Sequence, residues 1–165
     1  MTREEIAEVL AKPYARQLLN GPEPARFAYD GLDGDPRVIP IGFWIEDGQI
    51  LMATVPKAAK VAALQKNPTV ALTIDTGAFP PKVLLLRGTA EVELVQGIPD
   101  GYLEAGHKVM TDEQYPEWEA GVKALYTEMV LITVTPTWAK LLDFETTIPK
   151  AVEDLIKERQ AQGQS

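Results

Sequence analysis

Residues 49–68, Gln-Ile-Leu-Met-Ala-Thr-Val-Pro-Lys-Ala-Ala-Lys-Val-Ala-Ala-Leu-Gln-Lys-Asn-Pro, change period halfway along. Gln49–Thr54 is an apolar run of strand length. Pro56 stands where a first helical residue belongs, Lys57–Lys66 is built of helix formers, and Asn67-Pro68 stops it. A strand that delivers the chain to a helix start makes a corner where unpaired backbone N–H groups and the helix dipole favour an anion. With Lys57 in the first turn and Lys60 one turn later, two ammonium groups share one side, and Thr54 adds a hydroxyl. A first-turn lysine opposes the dipole by about 0.3–1 kcal/mol when exposed. A bound anion reverses that sign, since charge-assisted hydrogen bonds contribute about 1.5–3 kcal/mol each. The same spacing also fits two lysines that are merely solvated.

On either side of this segment the pattern is mostly that of strands. Upstream, Ala25–Tyr29 and Arg37–Ile45 are rich in β-branched and aromatic residues, and Asp33-Gly34 and Asp47-Gly48 are hairpin signals. With Gln49–Thr54 they predict a three-stranded antiparallel meander. Downstream, Thr69–Asp75 and a long Val83–Leu94 strand flank a Thr76–Pro81 loop. Pro99–Met110 and Glu113–Tyr126 predict a helical hairpin, and Met129–Thr135 and Trp138–Phe144 two strands around Pro136. Thr2 and Glu5 form a capping-box signature for an N-terminal helix within residues 1–24, broken or kinked at Pro13. Pro149–Gln162 reads as a charged helix within residues 149–165, with Gln160–Ser165 as a frayed tail. The expected fold is mainly β (α+β): one barrel domain over residues 1–165, closed or partly closed, with helices at its edges.

The 165 residues are 45% hydrophobic and 24% charged, a globular composition with a net charge of −8. That acidity speaks against nucleic-acid binding, which needs a positive surface. The absence of cysteine excludes disulfides, thiolate metal sites and a cysteine nucleophile. The acidic N-terminus MTREEIAEVL does not read as a signal peptide, and no apolar run reaches membrane-spanning length, so the expected location is cytoplasmic. Ser165 is the sole serine, so a Ser-His-Asp triad has no support. His107 lacks companion ligands and reads as a helix-terminal cation, giving no metal site. Neither a Walker loop nor a Rossmann fingerprint is present.

Arg37-Val38-Ile39-Pro40, Ile50–Thr54, Lys60 with Leu64, Asn67-Pro68, Val70-Ala71-Leu72 and Arg87-Gly88-Thr89-Ala90-Glu91-Val92 together resemble the core of the pyridoxamine 5′-phosphate oxidase-like superfamily of split β-barrels. The resemblance covers roughly Ala25 to Leu94. It implies a homodimer that carries two flavin cofactors at its interface. It implies that Arg37, Thr54 and Lys60 meet the cofactor phosphate with Lys57 nearby, and that main chain at Val38, Ile39 and Pro40 faces the isoalloxazine. Ala53 would line the same pocket, Lys82 would reach the ring or ribityl chain, and Trp138 would stack near a flavin of the other subunit. Interface core is the plainer role for Trp138.

The sequence departs from the family pattern at Ala58 and Ala59, where Ser-Arg or Arg-Ala usually precede the lysine, and at Ala62 and Ala63. The basic and histidine substrate ligands of true pyridoxamine phosphate oxidases have no match. The deazaflavin F-420, held by related reductases, has a long anionic tail that calls for more cations here, which favours FMN. The expected activity is that of a flavin-dependent oxidoreductase on a small molecule, with no catalytic side chain identified. A non-catalytic flavin or haem binder on the same barrel is the alternative.

Overall fold

The computed structural model describes residues 1–163. Two helices, α1 (Arg3–Ala11) and α2 (Pro13–Asn20), open the chain. The capping box forms as read: Thr2 Oγ1 accepts from the Glu5 N–H at 3.1 Å, and Glu5 Oε2 accepts from the Thr2 N–H at 2.7 Å. Pro13 breaks the region into two helices, because Lys12 is extended at ψ 144° and proline, with no N–H to lose, begins α2.

Strands β1 (Ala25–Asp30) and β2 (Pro36–Ile41) pair as one hairpin, and β3 (Trp44–Glu46) and β4 (Gln49–Thr54) as another. Asp47 and Gly48 turn the second with positive φ at both positions, 49° and 78°. The expected three-stranded meander does not form. The run Arg37–Ile45 divides at Gly42-Phe43, and the two hairpins lie at opposite ends of a seven-stranded sheet ordered β2-β1-β5-β6-β7-β4-β3. Pro36 and Pro40, which lack an N–H to donate, suit β2 to an edge.

That order forces closure. Six strand gaps would hold the edges of a flat sheet roughly 29 Å apart. Gly42 and Phe43 alone join the edge strands β2 and β3, and three Cα–Cα steps reach at most about 11 Å. The sheet therefore rolls into a split barrel, with β2 and β3 joined covalently rather than by a ladder.

The centre of the roll is the antiparallel run of β5 (Thr69–Asp75), β6 (Val83–Gln96) and β7 (Glu128–Leu142). Alternate residues point inward: Ala25 and Phe27, Ile50 and Met52, Val70, Leu72 and Ile74, then Leu84, Leu86 and Ala90, all in one buried cluster. The two strands expected around Pro136 are one. Gly88 pairs with Pro136 and Arg87 with Trp138, so Thr137 is an extra residue and the ladder bulges there. The bulge flips the buried parity of β7 from Val130, Ile132 and Val134 to Ala139 and Leu141. A Cβ on Gly88 would stand 2.6 Å from the Thr135 carbonyl oxygen, so the ladder closes here only because residue 88 has none.

Helix α3 (Ala59–Lys66) caps the roll with Val61 and Leu64. Helices α4 (Asp100–His107) and α5 (Tyr115–Leu125) are inserted between β6 and β7. Helix α4 covers a second cluster on the outer face, made by Trp44, Leu51, Ala53, Ala105 and Met129, and α5 packs on α4. Gly101 is seated against the Trp44 indole, where a Cβ would come within 2.3 Å of the ring. Helix α6 (Lys150–Gly163) buries none of residues 150–162, and it carries as helix the Gln160–Gly163 stretch expected to fray; Gln164 and Ser165 lie outside the described residues. No described helix is long and apolar enough to cross a membrane.

Candidate functional site

The β4–α3 corner forms, with its helix starting later than the sequence pattern implies. Pro56 and Lys57 lie in a turn, Ala58 is the N-cap, and Ala59 is the first helical residue. The turn closes by hydrogen bonds from the Ala58 N–H to Val55 O and from the Val61 N–H to Ala58 O. Lys57 is therefore outside the first helical turn. It is exposed and lines a separate surface pocket with Tyr126 and Glu128. Lys60 takes the first-turn position instead.

Lys60 and Thr54 meet. The ammonium donates to Thr54 Oγ1 at 3.1 Å, and Thr54 is buried at 9% exposure. Burial lowers the pKa of the Lys60 ammonium, and among the described residues no carboxylate forms an ion pair with it. Ala58 has no side-chain oxygen, so the first-turn N–H groups lack a side-chain cap. A half-buried cation beside an uncapped helix start is suited to an anion with several acceptor oxygens.

Helix α3 is anchored to the β1–β2 hairpin by its C-terminal end. Asn67 Nδ2 donates to Asp30 Oδ2 at 2.8 Å, Asn67 Oδ1 accepts the Thr69 N–H at 3.1 Å, and Lys66 Nζ donates to Leu32 O at 3.2 Å. Along the same side of the helix, Arg37 of β2 shares a cavity with Ala59 and Ala63. A cavity of about 260 Å³ is lined by Arg37, Tyr29 and Asp33 on one side and by Ala59 and Ala63 on the other. Asp33 pairs with the Arg37 guanidinium. The Asp35 N–H and that guanidinium lower the Asp33 pKa. Beyond Arg37, Val38 is 66% exposed, Ile39 packs on the core, and Pro40 is exposed on the edge strand. The cavity beside Arg37 and the Lys60–Thr54 pair thus lie on either side of Ala59, the first residue of α3.

Besides Lys57, three expected residues stand apart from this corner. Ala53 points to the opposite face of β4 from Met52 and packs in the outer cluster with Trp44 and Met129. Lys82 holds its ammonium 3.8 Å from the centroid of the Tyr14 ring. The Arg87 guanidinium lies 4.4 Å from the centroid of the Trp138 ring, on the outer sheet face. Thr54 pairs with Val130, whereas Val83, next to Lys82, pairs with Leu142, twelve residues further along β7 (142 − 130). His107, 54% exposed, forms a clasp between α4 and α5, with Nε2 3.3 Å from Asp112 and its ring edge-on to Tyr115. No metal-binding cluster of His, Asp or Glu occurs among the described residues.

Sequence reasoning missed a larger feature. Where the α2–β1 turn, the β2–β3 link and the α4–α5 hairpin meet, a pocket of about 510 Å³ is lined by Phe43, Tyr102, Trp118 and Lys108. The available signal was Gly101 and Gly106 inside a predicted helix, each needed for an indole to approach, Trp44 and Trp118 respectively.

A family model described as pyridoxamine 5′-phosphate oxidase matches residues 11–142. No curated protein matches significantly. Among solved structures, the conserved hypothetical protein Rv2991 of Mycobacterium tuberculosis is 20% identical with a TM-score of 0.58, covering 88% of this chain and 86% of its own. An F420 reductase is 25% identical with a TM-score of 0.58, covering 76% of this chain and 94% of its own. The haem storage protein HutZ of Vibrio cholerae is 17% identical with a TM-score of 0.56, covering 80% and 93%. By the extent of the family match and the shared split barrel, this chain belongs to the pyridoxamine 5′-phosphate oxidase-like family.

Proposed function

We propose that this protein is a flavin-dependent oxidoreductase that holds FMN by its phosphate at the β4–α3 corner. The observation that carries the reading is the half-buried Lys60 ammonium on Thr54, with no carboxylate partner, at a helix start without a side-chain cap. Lys60, Thr54 and the Arg37 guanidinium would hold the phosphate. Val38–Pro40 on the open edge of β2 would carry the ring. A bound flavin supplies hydride or electron transfer, which leaves the protein to position the cofactor, shape an apolar substrate pocket and exclude water. A strong acid or base is not required of the protein.

The reading includes a homodimer. Lys82 and Trp138 lie too far along the strands to join the corner of their own chain, so they would serve the site of a second copy laid on the outer sheet face. F-420 is the second reading, favoured by the 25% identity to an F420 reductase. The absorbance of freshly purified protein and the mass of its released cofactor divide the two. Colourless protein that takes up neither FMN nor F-420 on titration refutes both. Light scattering of the loaded protein should give twice the chain mass, and a loaded monomer refutes the shared site.

A further inference from the structure

The pocket beside the helical hairpin has its own chemistry. Phe43 is 4% exposed, and the Tyr102 and Trp118 rings stack with centroids 5.8 Å apart and planes at 25°. Gly106 makes that stack possible, since a Cβ there would lie 2.2 Å from the Trp118 ring. Into this aromatic box Lys108 projects an ammonium, 5.8 Å from the centroid of Phe43. Burial lowers its pKa, with the field of Glu104 acting in the other direction. Among the described residues no carboxylate lies within ion-pair distance of it. Glu23 also lines the pocket, its Oε2 folded back where it would contact a Cβ on Gly21. A partly desolvated, unpaired cation among stacked rings favours an occupant that supplies both a ring and a negative charge. The volume of about 510 Å³ lies inside the usual range of small-molecule pockets, roughly 300–1,000 Å³.

We infer that this pocket binds a planar aromatic anion, such as a fused-ring carboxylate, with its rings on Phe43, Tyr102 and Trp118 and its charge at Lys108. The position gives the site a use. Strand β2 runs from Arg37 at the phosphate cavity, past Val38–Pro40, to Gly42-Phe43 at this pocket, a path of about 17 Å. The aromatic anion would thus be the substrate class of the proposed flavin enzyme, and this last step rests on that reading.

The test is isothermal titration calorimetry with 2-naphthoate and its uncharged analogue 2-naphthylmethanol, on wild type, Lys108→Met and Lys108→Arg, each also titrated with FMN. Wild type should bind 2-naphthoate about tenfold or more tighter than 2-naphthylmethanol. Lys108→Met should reduce that preference to about twofold, and Lys108→Arg should keep most of it. Melting temperatures show that the variants are folded, and the comparison of the two ligands on wild type needs no variant. Absence of 2-naphthoate binding to wild type, or an equal preference in Lys108→Met, overturns the inference. FMN uptake without naphthoate binding sinks this site alone, whereas naphthoate binding without FMN uptake leaves the pocket standing and sinks the FMN reading together with the substrate assignment that rests on it.

Discussion

Replacing Lys60 by methionine separates a ligand-binding lysine from a structural one. The side chain keeps its length and loses its charge. In the cofactor-free protein two effects oppose each other: the 3.1 Å bond to Thr54 is lost, and so is the cost of a half-buried ammonium. The net change in folding free energy should stay within about 1 kcal/mol, a shift of about 2–4 °C in melting temperature for a chain of this size. Against a bound phosphate nothing offsets the loss. One charge-assisted bond of about 1.5–3 kcal/mol corresponds to roughly 10- to 150-fold weaker FMN binding. Quenching of flavin fluorescence on titration reads the affinity, and differential scanning fluorimetry reads the stability. Adding Thr54→Val removes the orphaned hydroxyl and should restore stability without restoring binding. FMN affinity unchanged within about twofold, or a fall in melting temperature that tracks the loss of binding, would refute a phosphate role for Lys60.

The same ammonium makes a pH prediction. Burial lowers its folded pKa below the ordinary 10.5, so the folded protein releases this proton before the unfolded chain does. Between the lowered value and 10.5 the unfolded state binds more protons, so the cofactor-free protein gains stability relative to Lys60→Met as pH rises through that window. FMN affinity should fall across the same window and stay flat in Lys60→Arg, whose guanidinium does not titrate there; parallel profiles for the two proteins would contradict this. Gly101→Ala forces a methyl into the buried Trp44 indole and should cost about 1–3 kcal/mol by urea denaturation, and a neutral effect would show that α4 can slide.

Much of this was readable from local signals. The hairpin turns at Asp33-Gly34 and Asp47-Gly48, the capping box at Thr2 and Glu5 and the stop at Asn67-Pro68 all act within a few residues, and all appear in the structure. The misreadings arose where distant partners decide. Arg37–Ile45 has continuous strand composition, yet it splits at Gly42-Phe43 because β2 pairs with β1 and β3 with β4. Pro136 reads as a strand break, whereas the extra residue Thr137 lets a single strand continue past it as a bulge against Arg87 and Gly88. Lys60 and Thr54 meet at the corner that the strand-to-helix pattern marks, whereas Lys57 lies in the turn before the helix, because Pro56 can begin a turn as readily as a helix. The aromatic pocket was hidden because its lining comes from four separate parts of the chain.

Strand β4 has only two partners, its hairpin mate β3 and the distant β7. On the ribosome the N-terminal half emerges first and can form two short hairpins and α3, but the corner strand stays open along one flank until residues 128–142 are synthesised. Loop closure over that separation is slow compared with hairpin formation. A nascent chain therefore leaves Ile50 and Met52, two side chains that end fully buried, without their β7 partners until that strand is made. Chaperone capture should concentrate on this stretch, and a cofactor would dock into a finished roll rather than template its assembly.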